Sequence, residues 1–417
     1  MRILHTSDWH LGQHFMGKSR EAEHRVFVDW LIETIKEHQV NALIIAGDVF
    51  DTGTPPSYAR KIYSQFIVKL QDTTCRQLVV LGGNHDSVAT LHESRELLAC
   101  LNTCVVGGVT QDLEEQVLVL EDQHSQPGAV LCAIPFIRPR DVLESQAGES
   151  GEAKQQALQQ AIADHYHALY TLAKEKAGDT LPIIATGHLT TIGGELTESV
   201  REIYIGTLSA FPVSAFPEAD YIALGHLHRP QRVANQEHIR YSGSPIPLSF
   251  DEIKTDKEVI LADFEHGRVK AIQPMQVPLF RPLISLKGSL VEIDQALEAL
   301  QKQSFDAALS PWLEIEIIAD DYLSDLQGRV ERLLQEKKGL SSFELLRVRR
   351  HREKSPASLS QAHCETLVEL TAVDVFEQRL KLADLPQEQA SRLNHAFQEI
   401  LASLDEDQDV VLEQDAR

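Results

Sequence analysis

The sequence predicts a layered α/β protein with a core domain over residues 1–275, a small α/β domain over 280–355 and C-terminal helices over 362–404. Three observations lead to this prediction. Apolar runs alternate with stretches whose apolar positions recur at helical spacing. The runs are apolar on both faces, which is typical of strands in a sheet covered on two sides. A second, shorter alternation of strand and helix follows a proline-rich segment.

The elements of the core domain follow in regular order. Strands are expected at Ile3–Ser7, Ala42–Gly47, Leu78–Gly83, Val130–Phe136, Pro182–Gly187 and Tyr221–Gly225. Helical spacing covers Glu21–Gln39 and Ser57–Gln71, and two later runs, Ile239–Ile246 and Glu258–Glu265, complete the sheet system as mixed sheets flanked by helices. Gln273–Pro282 has three prolines in ten residues, which predicts the exit from the domain.

The rest of the chain carries a second pattern and a tail. The small domain is expected to contain strand Leu283–Leu286, helix Leu290–Gln303, strand Trp312–Ile318, helix Tyr322–Lys338 and strand Phe343–Val348. A break at Glu353–Ser360 precedes helices at Thr366–Leu382 and Pro386–Leu404. The acidic end, 405–417, is expected to be disordered.

Composition limits the class of protein. Apolar residues make up 43% and charged residues 24% of the chain, and no apolar run approaches the roughly 18 residues of a membrane span. The N-terminal residues do not resemble an export signal, so we expect a cytoplasmic protein. The net charge of -23 opposes nonspecific attraction to nucleic acid, so a nucleic-acid role needs local positive charge, metals or a basic partner.

The cysteines predict neither a disulfide framework nor a zinc ribbon. They are odd in number, lack a CxxC pair and lie mostly in apolar surroundings. We expect buried thiols at Cys75, Cys100, Cys104, Cys132 and Cys364.

Five polar motifs end five of the apolar runs. They are SDWHLG at Ser7–Gly12, GDVFD at Gly47–Asp51, GGNHD at Gly82–Asp86, TGH at Thr186–His188 and GHLH at Gly225–His228. Ligand and catalytic residues of open α/β sheets gather at the carboxyl ends of strands, so the five loops are expected to converge. Together they hold Asp8, His10, Asp48, Asn84, His188, His226 and His228, an oxygen and imidazole set that suits a pair of divalent metals.

The donors predict a metal-dependent hydrolase. Asp48 is the candidate for a carboxylate that bridges two metals, and Asn84 adds a neutral oxygen. In an extended segment the spacing of Asp8 and His10 places both side chains on one side, and the same holds for His226 and His228. His85 is suited to protonate the leaving oxygen, with Asp86 available to orient it.

Taken singly, each motif is more often a cap or a turn than a ligand. The combination of five motifs carries the prediction of a metal site. His5, His14, His24 and His38 lack such support, and we interpret them as surface or structural histidines.

The order of the motifs resembles the calcineurin-like metallophosphoesterase superfamily. Within it, ILHTSDWHLG, GDVFD, GGNHD and GHLHRPQ resemble the nuclease subunits of bacterial complexes that are counterparts of the eukaryotic and archaeal double-strand-break repair nuclease. The resemblance implies a metallophosphoesterase core, a capping role for the small domain and two Mn²⁺ ions. One ion would be held by Asp8, His10, Asp48 and His228, the other by Asp48, Asn84, His188 and His226, with His85 as the catalytic residue.

The resemblance also implies partners. An SMC-like coiled-coil ATPase would use ATP and dock on the helices over 362–404. The apolar positions of these helices are Leu367, Leu370, Val373, Val375, Phe376, Leu380 and Leu382. Alternatively, these helices pack on their own domain. The complex would cut double-stranded DNA ends as a 3′–5′ exonuclease and DNA hairpins as an endonuclease, in DNA repair, recombination and replication. A homodimer within a heterotetramer is typical of the family. Some relatives have histidine at the position of Asp51, so Asp51 is left out of the catalytic set.

The densest basic cluster, RVRRHREK, lies at the end of the small domain. It offers Arg347, Arg349, Arg350 and Arg352 as candidate DNA contacts, although such a run is equally typical of a solvated edge. Alternation places Arg347 and Arg349 on one face of the strand.

Two other functions stay open from the residues. A small-molecule phosphodiesterase or nucleotidase would use the same metals, but it needs neither the small domain nor the basic run. A noncatalytic assembly subunit is disfavoured by the complete ligand set. Mn²⁺, iron and zinc all accept these donors.

Overall fold

The structure, a computed structural model, describes residues 1–143, 150–197, 199–200, 210–303, 305, 307–318, 326–337, 340 and 343–350. Contacts divide the chain into two units, residues 1–351 and 352–417. The predicted helices over 362–404, the tail over 405–417, Arg352 and Cys364 therefore lie outside the described residues.

Strands form the sheets of the described core and helices flank them. In chain order the strands are β1 (Arg2–Thr6), β2 (His14–Phe15), β3 (Lys18–Ser19), β4 (Ala42–Ile45), β5 (Gln77–Leu81), β6 (Thr103–Val106), β7 (Val117–Glu121), β8 (Pro127–Cys132), β9 (Ile183–His188), β10 (Tyr221–Gly225), β11 (Gln231–Val233), β12 (Gln236–Tyr241), β13 (Lys257–Glu265), β14 (Arg268–Val277), β15 (Leu283–Gly288), β16 (Trp312–Ile317) and β17 (Glu344–Arg350). The helices are α1 (Glu21–Glu37), α2 (Ser57–Leu70), α3 (Val88–His92), α4 (Arg95–Ala99), α5 (Pro139–Val142), α6 (Gly151–Ala177), α7 (Leu290–Leu300) and α8 (Leu326–Glu336).

The predicted α/β core consists of two six-stranded sheets. The first has the order β14-β13-β1-β4-β5-β6 and the second β11-β12-β10-β9-β8-β7. In each sheet the four consecutive strands β1-β4-β5-β6 and β12-β10-β9-β8 are parallel, and the remaining strands pair antiparallel. This is the layered arrangement with mixed sheets that the sequence predicts.

Burial on both sides of each sheet explains why the strands are apolar on both faces. The inner faces pack against each other through a cluster that includes Ile44 and Val79 of the first sheet and Ile184 and Ala223 of the second. Helices α1 and α2 cover the outer face of the first sheet, and α6 covers that of the second. A run without polar alternation therefore marks a strand between two layers, and it carries no information about which sheet the strand joins.

Helix α6 and strand β7 are absent from the predicted elements. No helix is predicted over 151–177, although Leu158, Ile162, Tyr166 and Leu169 recur at helical spacing and are buried against the second sheet. Strand β7 pairs antiparallel with β8 at the edge of that sheet.

The proposed domain exit at Gln273–Pro282 is wrong in its first half. Residues as far as Val277 belong to β14, in which Pro274 pairs with Ile260. β14 is an edge strand of its sheet, and an edge tolerates a residue that lacks a backbone N–H. The connection to the small domain therefore begins at Pro278.

The small domain is a three-stranded parallel sheet in the order β15-β16-β17 with α7 and α8 in the crossovers. This is the predicted strand and helix order. Helix α7 begins with a capping box in which Ser289 and Glu292 bind each other's backbone N–H groups. Its buried residues Ile293 and Leu297 pack on Ile315 and Leu313 of the central strand.

Buried arginine and aromatic side chains connect the small domain to the core. The guanidinium of Arg20 is fully buried, pairs with Glu23 and lies over the rings of Phe15 and Trp312. Arg281 also contacts Glu23, at 3.2 Å, and its guanidinium lies 4.3 Å from the centre of the Trp312 ring. Paired charges and stacked rings from both domains fix the small domain against the core.

Candidate metal centre

The five motif loops meet at one rim of the two sheets, as the strand-end argument predicts. They are tied together by backbone hydrogen bonds: the N–H of Asp8 donates to the carbonyl of Gly47 at 3.0 Å, and the N–H of His10 donates to the carbonyl of Asp48 at 3.0 Å. The second sheet joins through the N–H of His226, which donates to the Asp8 carboxylate at 2.9 Å. The site is thus built where both sheets end.

The backbone at the motifs differs from the extended form expected for the two i, i+2 pairs. Asp8, His10, Asp48 and His226 all have positive φ angles, of 54°, 46°, 49° and 99°. The side chains of Asp8 and His10 still come together, but those of His226 and His228 enter different clusters. Left-handed backbone at non-glycine residues is strained and is found where surrounding structure over-determines it, as at functional sites.

Motif glycines allow the loops to approach closely. A Cβ at Gly83 would lie 2.1 Å from Asp48 Oδ1, and one at Gly225 would lie 2.0 Å from the carbonyl oxygen of Ala46. Gly47 has a φ of +92°, and a Cβ there would lie 2.2 Å from Nδ1 of His188. Glycine is therefore needed at these positions for steric reasons as well as for chain reversal.

The seven predicted ligands form two adjoining clusters. One contains Asp8, His10 and His228, and the other contains Asp48, His188 and His226, with the donor atoms of each cluster within 4.8 Å of one another. Asn84 joins the second, because its Oδ1 lies 3.0 Å from His188 Nε2 and 3.2 Å from His226 Nδ1.

Asp48 lies between the clusters. Its Oδ2 is 3.2 Å from His188 Nε2 in one and 3.6 Å from His10 Nε2 in the other. All six clustered acids and histidines are buried to at least 98%.

In three of the histidines, Nδ1 makes a hydrogen bond to a neighbouring residue. His10 Nδ1 lies 3.1 Å from Asp51 Oδ1, His188 Nδ1 lies 2.9 Å from the carbonyl oxygen of Ala46, and His228 Nδ1 lies 2.6 Å from the Ser199 hydroxyl. Contacts of this kind fix the ring orientation and the tautomer of metal-binding histidines.

The residues fit divalent metals. Nε2 of His10 and Nε2 of His226 are buried and have no hydrogen-bond partner among the described residues. Buried polar atoms are normally paired, so these imidazole nitrogens beside buried carboxylates are donors that fit a metal ion. Mixed oxygen and imidazole donors suit manganese, iron or zinc.

The charges in the cluster are strongly coupled. Burial by itself would raise the pKa of the Asp48 carboxyl, but the neighbouring His188 and His10 hold that pKa well below its usual range. Burial disfavours the charged form of His188, yet the Asp48 carboxylate raises the pKa of this imidazole to about 9. Burial and the charge of His188 hold the pKa of His226 well below its usual value. Without metal, a proton on His188 therefore neutralises part of the carboxylate charge.

His85 lies beside the clusters and lines the cleft. Its backbone N–H donates to Asp48 Oδ1 at 2.9 Å, and its Nδ1 lies 2.8 Å from the carbonyl oxygen of Asp51. The expected role of Asp86 as its orienting partner is wrong. The buried Asp86 carboxylate accepts the backbone N–H groups of Val49, Phe50 and Gly83, so it holds two motif loops together.

Asp51 has a structural role that the sequence leaves open. Its carboxylate faces His10, and its carbonyl oxygen receives His85. A carboxylate oxygen of Asp51 and one ring nitrogen each of His10 and His85 lie within 4.8 Å of one another.

A cleft of about 280 Å³ opens over the site. Its walls include His10, Asp51, His85 and His228 from the motif loops, together with Phe15, Phe250 and Arg347. Arg347 comes from β17, so the small domain forms one wall of the cleft.

The basic run is partly neutralised. Arg347 and Arg349 lie on one face of β17, as predicted, and both contact the buried carboxylate of Glu314. Arg349 also contacts Glu316, at 2.7 Å, which pairs with Lys287 as well. Of these basic residues Arg347 lines the cleft, and its guanidinium is paired with Glu314. Arg350 is exposed, and Arg352 lies outside the described residues.

Three residues that contact His228 do not belong to the five motifs. Ser199, Glu252 and Lys257 contact this histidine from loops and a strand that carry no recognisable motif. In the sequence Glu252 and Lys257 are an ordinary acid and lysine, and their burial is visible only in the structure.

Other side-chain expectations have mixed outcomes. His5 and His24 are buried, His38 is half-buried and His14 is exposed, as structural and surface histidines would be. Cys75 and Cys132 are buried, but the expected burial of the other described cysteines is wrong, because Cys100 is exposed at the end of α4 and Cys104 is half-buried. Among the described residues, no helix is both long and apolar enough to cross a membrane.

Comparisons with known proteins show which family the chain belongs to. Residues 1–230 match the calcineurin-like phosphoesterase family, and residues 279–383 match a family described as the type 5 capsule protein repressor C-terminal domain. A relative in Escherichia coli strain K12, named as the SbcD subunit of the nuclease SbcCD, is 52% identical over 97% of this chain and 98% of its own length.

More distant relatives carry the same name. The SbcD protein of Rhodobacter capsulatus is 36% identical over 80% of this chain and 84% of its own length. That of Bacillus subtilis strain 168 is 30% identical over 78% of this chain and 81% of its own length.

Proposed function

Because the chain belongs to the calcineurin-like phosphoesterase family, and within it to the SbcD proteins of SbcCD nucleases, we propose that it cleaves DNA phosphodiester bonds by two-metal catalysis. Its substrates are double-stranded DNA ends, cut as a 3′–5′ exonuclease, and DNA hairpins, cut as an endonuclease. It works with an SbcC-type SMC-like ATPase in DNA repair, recombination and replication. The observation that supports this proposal most directly is the pair of buried ligand clusters that share Asp48.

Two Mn²⁺ ions suit the clusters. Asp8, His10, Asp48 and His228 would hold one ion, and Asp48, Asn84, His188 and His226 the other. When bound, such metals stabilise the negative charge of the phosphoryl group and lower the pKa of the attacking water. Asp48 serves both positions, because its carboxylate lies within 3.6 Å of a histidine from each cluster.

His85 acts on the leaving oxygen. Its Nδ1 is held by the carbonyl oxygen of Asp51, so Nδ1 carries the hydrogen when the ring is neutral and proton exchange with the substrate takes place at Nε2. The backbone contact to Asp48 places this ring at a fixed distance from the metal ligands. A positioned histidine of this kind contributes roughly 10²–10⁴-fold to the rate.

The small domain binds DNA next to the cut. Arg347 lines the cleft with His85 and His228, where a phosphate adjoining the scissile bond would lie. Arg349 and Arg350 extend the positive charge along β17, and Arg352 follows in sequence. Glu314 holds Arg347 and Arg349 in place, so these side chains lose less entropy on binding phosphate than free arginines would.

Each part of the chain has its own role in this function. Residues 1–275 hold the catalytic site, 280–355 cap it, and 362–404 dock on the coiled coil of the ATPase, which uses ATP. The protein forms a homodimer within a heterotetramer. A small-molecule phosphodiesterase or nucleotidase is not favoured, because the match to nuclease subunits extends over 97% of the chain and includes the small domain.

Cleavage of a hairpin and of a blunt duplex tests the function. The purified chain is assayed with Mn²⁺, with and without the ATPase and ATP, and Asp48→Ala is the inactive control. We expect cleavage of both DNA substrates that depends on Mn²⁺ and Asp48 and is stimulated by the ATPase with ATP. Hydrolysis of nucleotides or small phosphodiesters without any cleavage of DNA, under all these conditions, would refute the proposal.

A further inference from the structure

A continuous chain of hydrogen bonds begins at Nδ1 of His228. This nitrogen lies 2.6 Å from the Ser199 hydroxyl, and this hydroxyl donates to Glu252 Oε1 at 2.5 Å. Glu252 Oε1 itself is 3.7 Å from the His228 ring. Ser199, which lies outside the five motifs, therefore connects a cluster histidine to a buried acid.

The environment of Glu252 keeps it an acceptor. The residue is fully buried, and its carboxylate receives the Lys257 ammonium at 2.5 Å, the Thr197 hydroxyl at 3.1 Å and the backbone N–H of Leu248 at 3.0 Å. A carboxylate surrounded by donors and paired with a cation remains charged and only accepts hydrogen bonds.

The direction of the hydrogen bonds follows from this. Since Glu252 can only accept, Ser199 must donate to it, and the Ser199 oxygen is left to accept from His228. Nδ1 of His228 then carries the ring hydrogen, and Nε2 presents its lone pair towards Asp8 and His10. Metal coordination requires this tautomer.

Lys257 also holds the backbone of His228. Its ammonium donates to the carbonyl oxygen of His228 at 2.9 Å and to the Ser244 hydroxyl at 2.9 Å. The same ion pair thus fixes both the main chain and the side chain of one histidine.

We propose that Glu252, held by Lys257 and acting through Ser199, is a positioning residue that orients His228 and sets the affinity of the metal position formed with Asp8 and His10. This inference rests on the proposed metal centre. It assigns no chemical step to Glu252. The second metal position has no contact of this kind through His188, whose Nδ1 meets a backbone carbonyl, so the effect is confined to one of the two ions.

The test measures Mn²⁺ binding to the metal-free, full-length protein and to its variants by calorimetry. Electron paramagnetic resonance counts the bound Mn²⁺ ions. Glu252→Gln keeps the shape but lets the amide donate to Ser199, which removes the fixed direction of the hydrogen bonds. Ser199→Ala removes the bridge without leaving a buried charge unpaired, and Ser199→Thr keeps the hydroxyl. Glu23→Gln is the matched control, since Glu23 is 1% exposed and paired with two arginines.

We expect two binding steps in the unaltered protein, of which one weakens by roughly 10–100-fold in Glu252→Gln and Ser199→Ala. Ser199→Thr and Glu23→Gln should keep both affinities. Thermal unfolding of each metal-free variant shows which proteins are folded, and Ser199→Ala carries the test if Glu252→Gln does not fold.

Equal affinities in folded Ser199→Ala and in the unaltered protein would overturn the inference. So would equal losses in Ser199→Ala and Ser199→Thr, or a similar loss in Glu23→Gln, since each would show a general effect on packing. If the unaltered protein binds no metal at all, the proposed function itself fails.

Discussion

Gly83→Ala is the most direct probe of how the site is assembled. The Cβ of an alanine at this position would lie 2.1 Å from Asp48 Oδ1, 2.7 Å from Asp48 Cγ and 2.3 Å from the backbone nitrogen of Asp48. Contacts shorter than 3.0 Å are essentially never made by real Cβ atoms. Rotation of the Asp48 side chain does not relieve the clash, because backbone is involved as well.

The geometry sets the size of the effect. Raising the shortest contact from 2.1 to 3.0 Å separates the loops that carry Asp48 and Asn84 by about 0.9 Å. Asp48 lies 3.2 Å from His188 and accepts the backbone N–H of His85 at 2.9 Å, so the shift changes the metal ligands and the catalytic histidine together. A misplacement of about 1 Å costs on the order of 10²-fold in rate, which corresponds to about 2.7 kcal/mol of transition-state stabilisation.

The assay is cleavage of a blunt DNA duplex with saturating Mn²⁺, combined with metal content after dialysis. Gly53→Ala is the control, since it lies on the neighbouring loop and its Cβ would meet only Ser87 Cβ, at 3.3 Å, and the Ser87 backbone nitrogen, at 3.9 Å. We expect a loss of about 10²-fold in the first variant and nearly full activity in the second. Unchanged turnover and metal content in a folded Gly83→Ala protein would show that the close approach of the two loops is not needed.

Three further predictions concern catalysis, protons and assembly. His85→Gln should retain both metals and lose roughly 10²–10⁴-fold in turnover, as measured by metal content and nuclease rate, and loss of metal would make His85 a ligand instead. Because the Asp48 carboxylate raises the pKa of His188 to about 9, this imidazole is protonated below that pH in metal-free protein, and metal must displace the proton. Mn²⁺ affinity should therefore rise between pH 7 and 9 with release of protons, and calorimetric heats that are identical in buffers of different protonation enthalpy would contradict this. Deletion of Leu367–Arg417 should leave hydrolysis of a small phosphodiester intact and abolish co-purification with the ATPase, and a complex that still forms would locate the docking surface elsewhere.

Local sequence was sufficient for the strands and the motifs. Runs such as Ala42–Ile45 and Tyr221–Gly225 are short and apolar, and each leads into a motif glycine, so their strand character is decided by neighbouring residues. The same holds for the small domain, in which strand and helix alternate as predicted. Helix α6 was within reach of the same reasoning, since its buried residues recur at helical spacing.

The pairing of strands that are distant in the chain could not be predicted from the sequence. The apolar runs do not show that β9 and β10 join a different sheet from β1 and β4, because both faces of every central strand are buried. The positive φ angles of Asp8 and His226 were equally hidden, since they arise from contacts between loops far apart in the chain.

By itself, the sequence determined the chemistry of this protein: which oxygen and nitrogen donors are present, that each follows a strand, and that together they suit two divalent metals. Donor type and strand propensity are properties of single residues and their neighbours, so one chain is enough to reveal them. Only the tertiary structure decided how the donors divide into two clusters, that Asp51 faces His10, and that Ser199 and Glu252 stand behind His228. The contacts of Asp51, Ser199 and Glu252 join residues between 29 and 53 positions apart, and the clusters join residues that are farther apart still. Their partners are chosen by the packing of two sheets rather than by any local pattern.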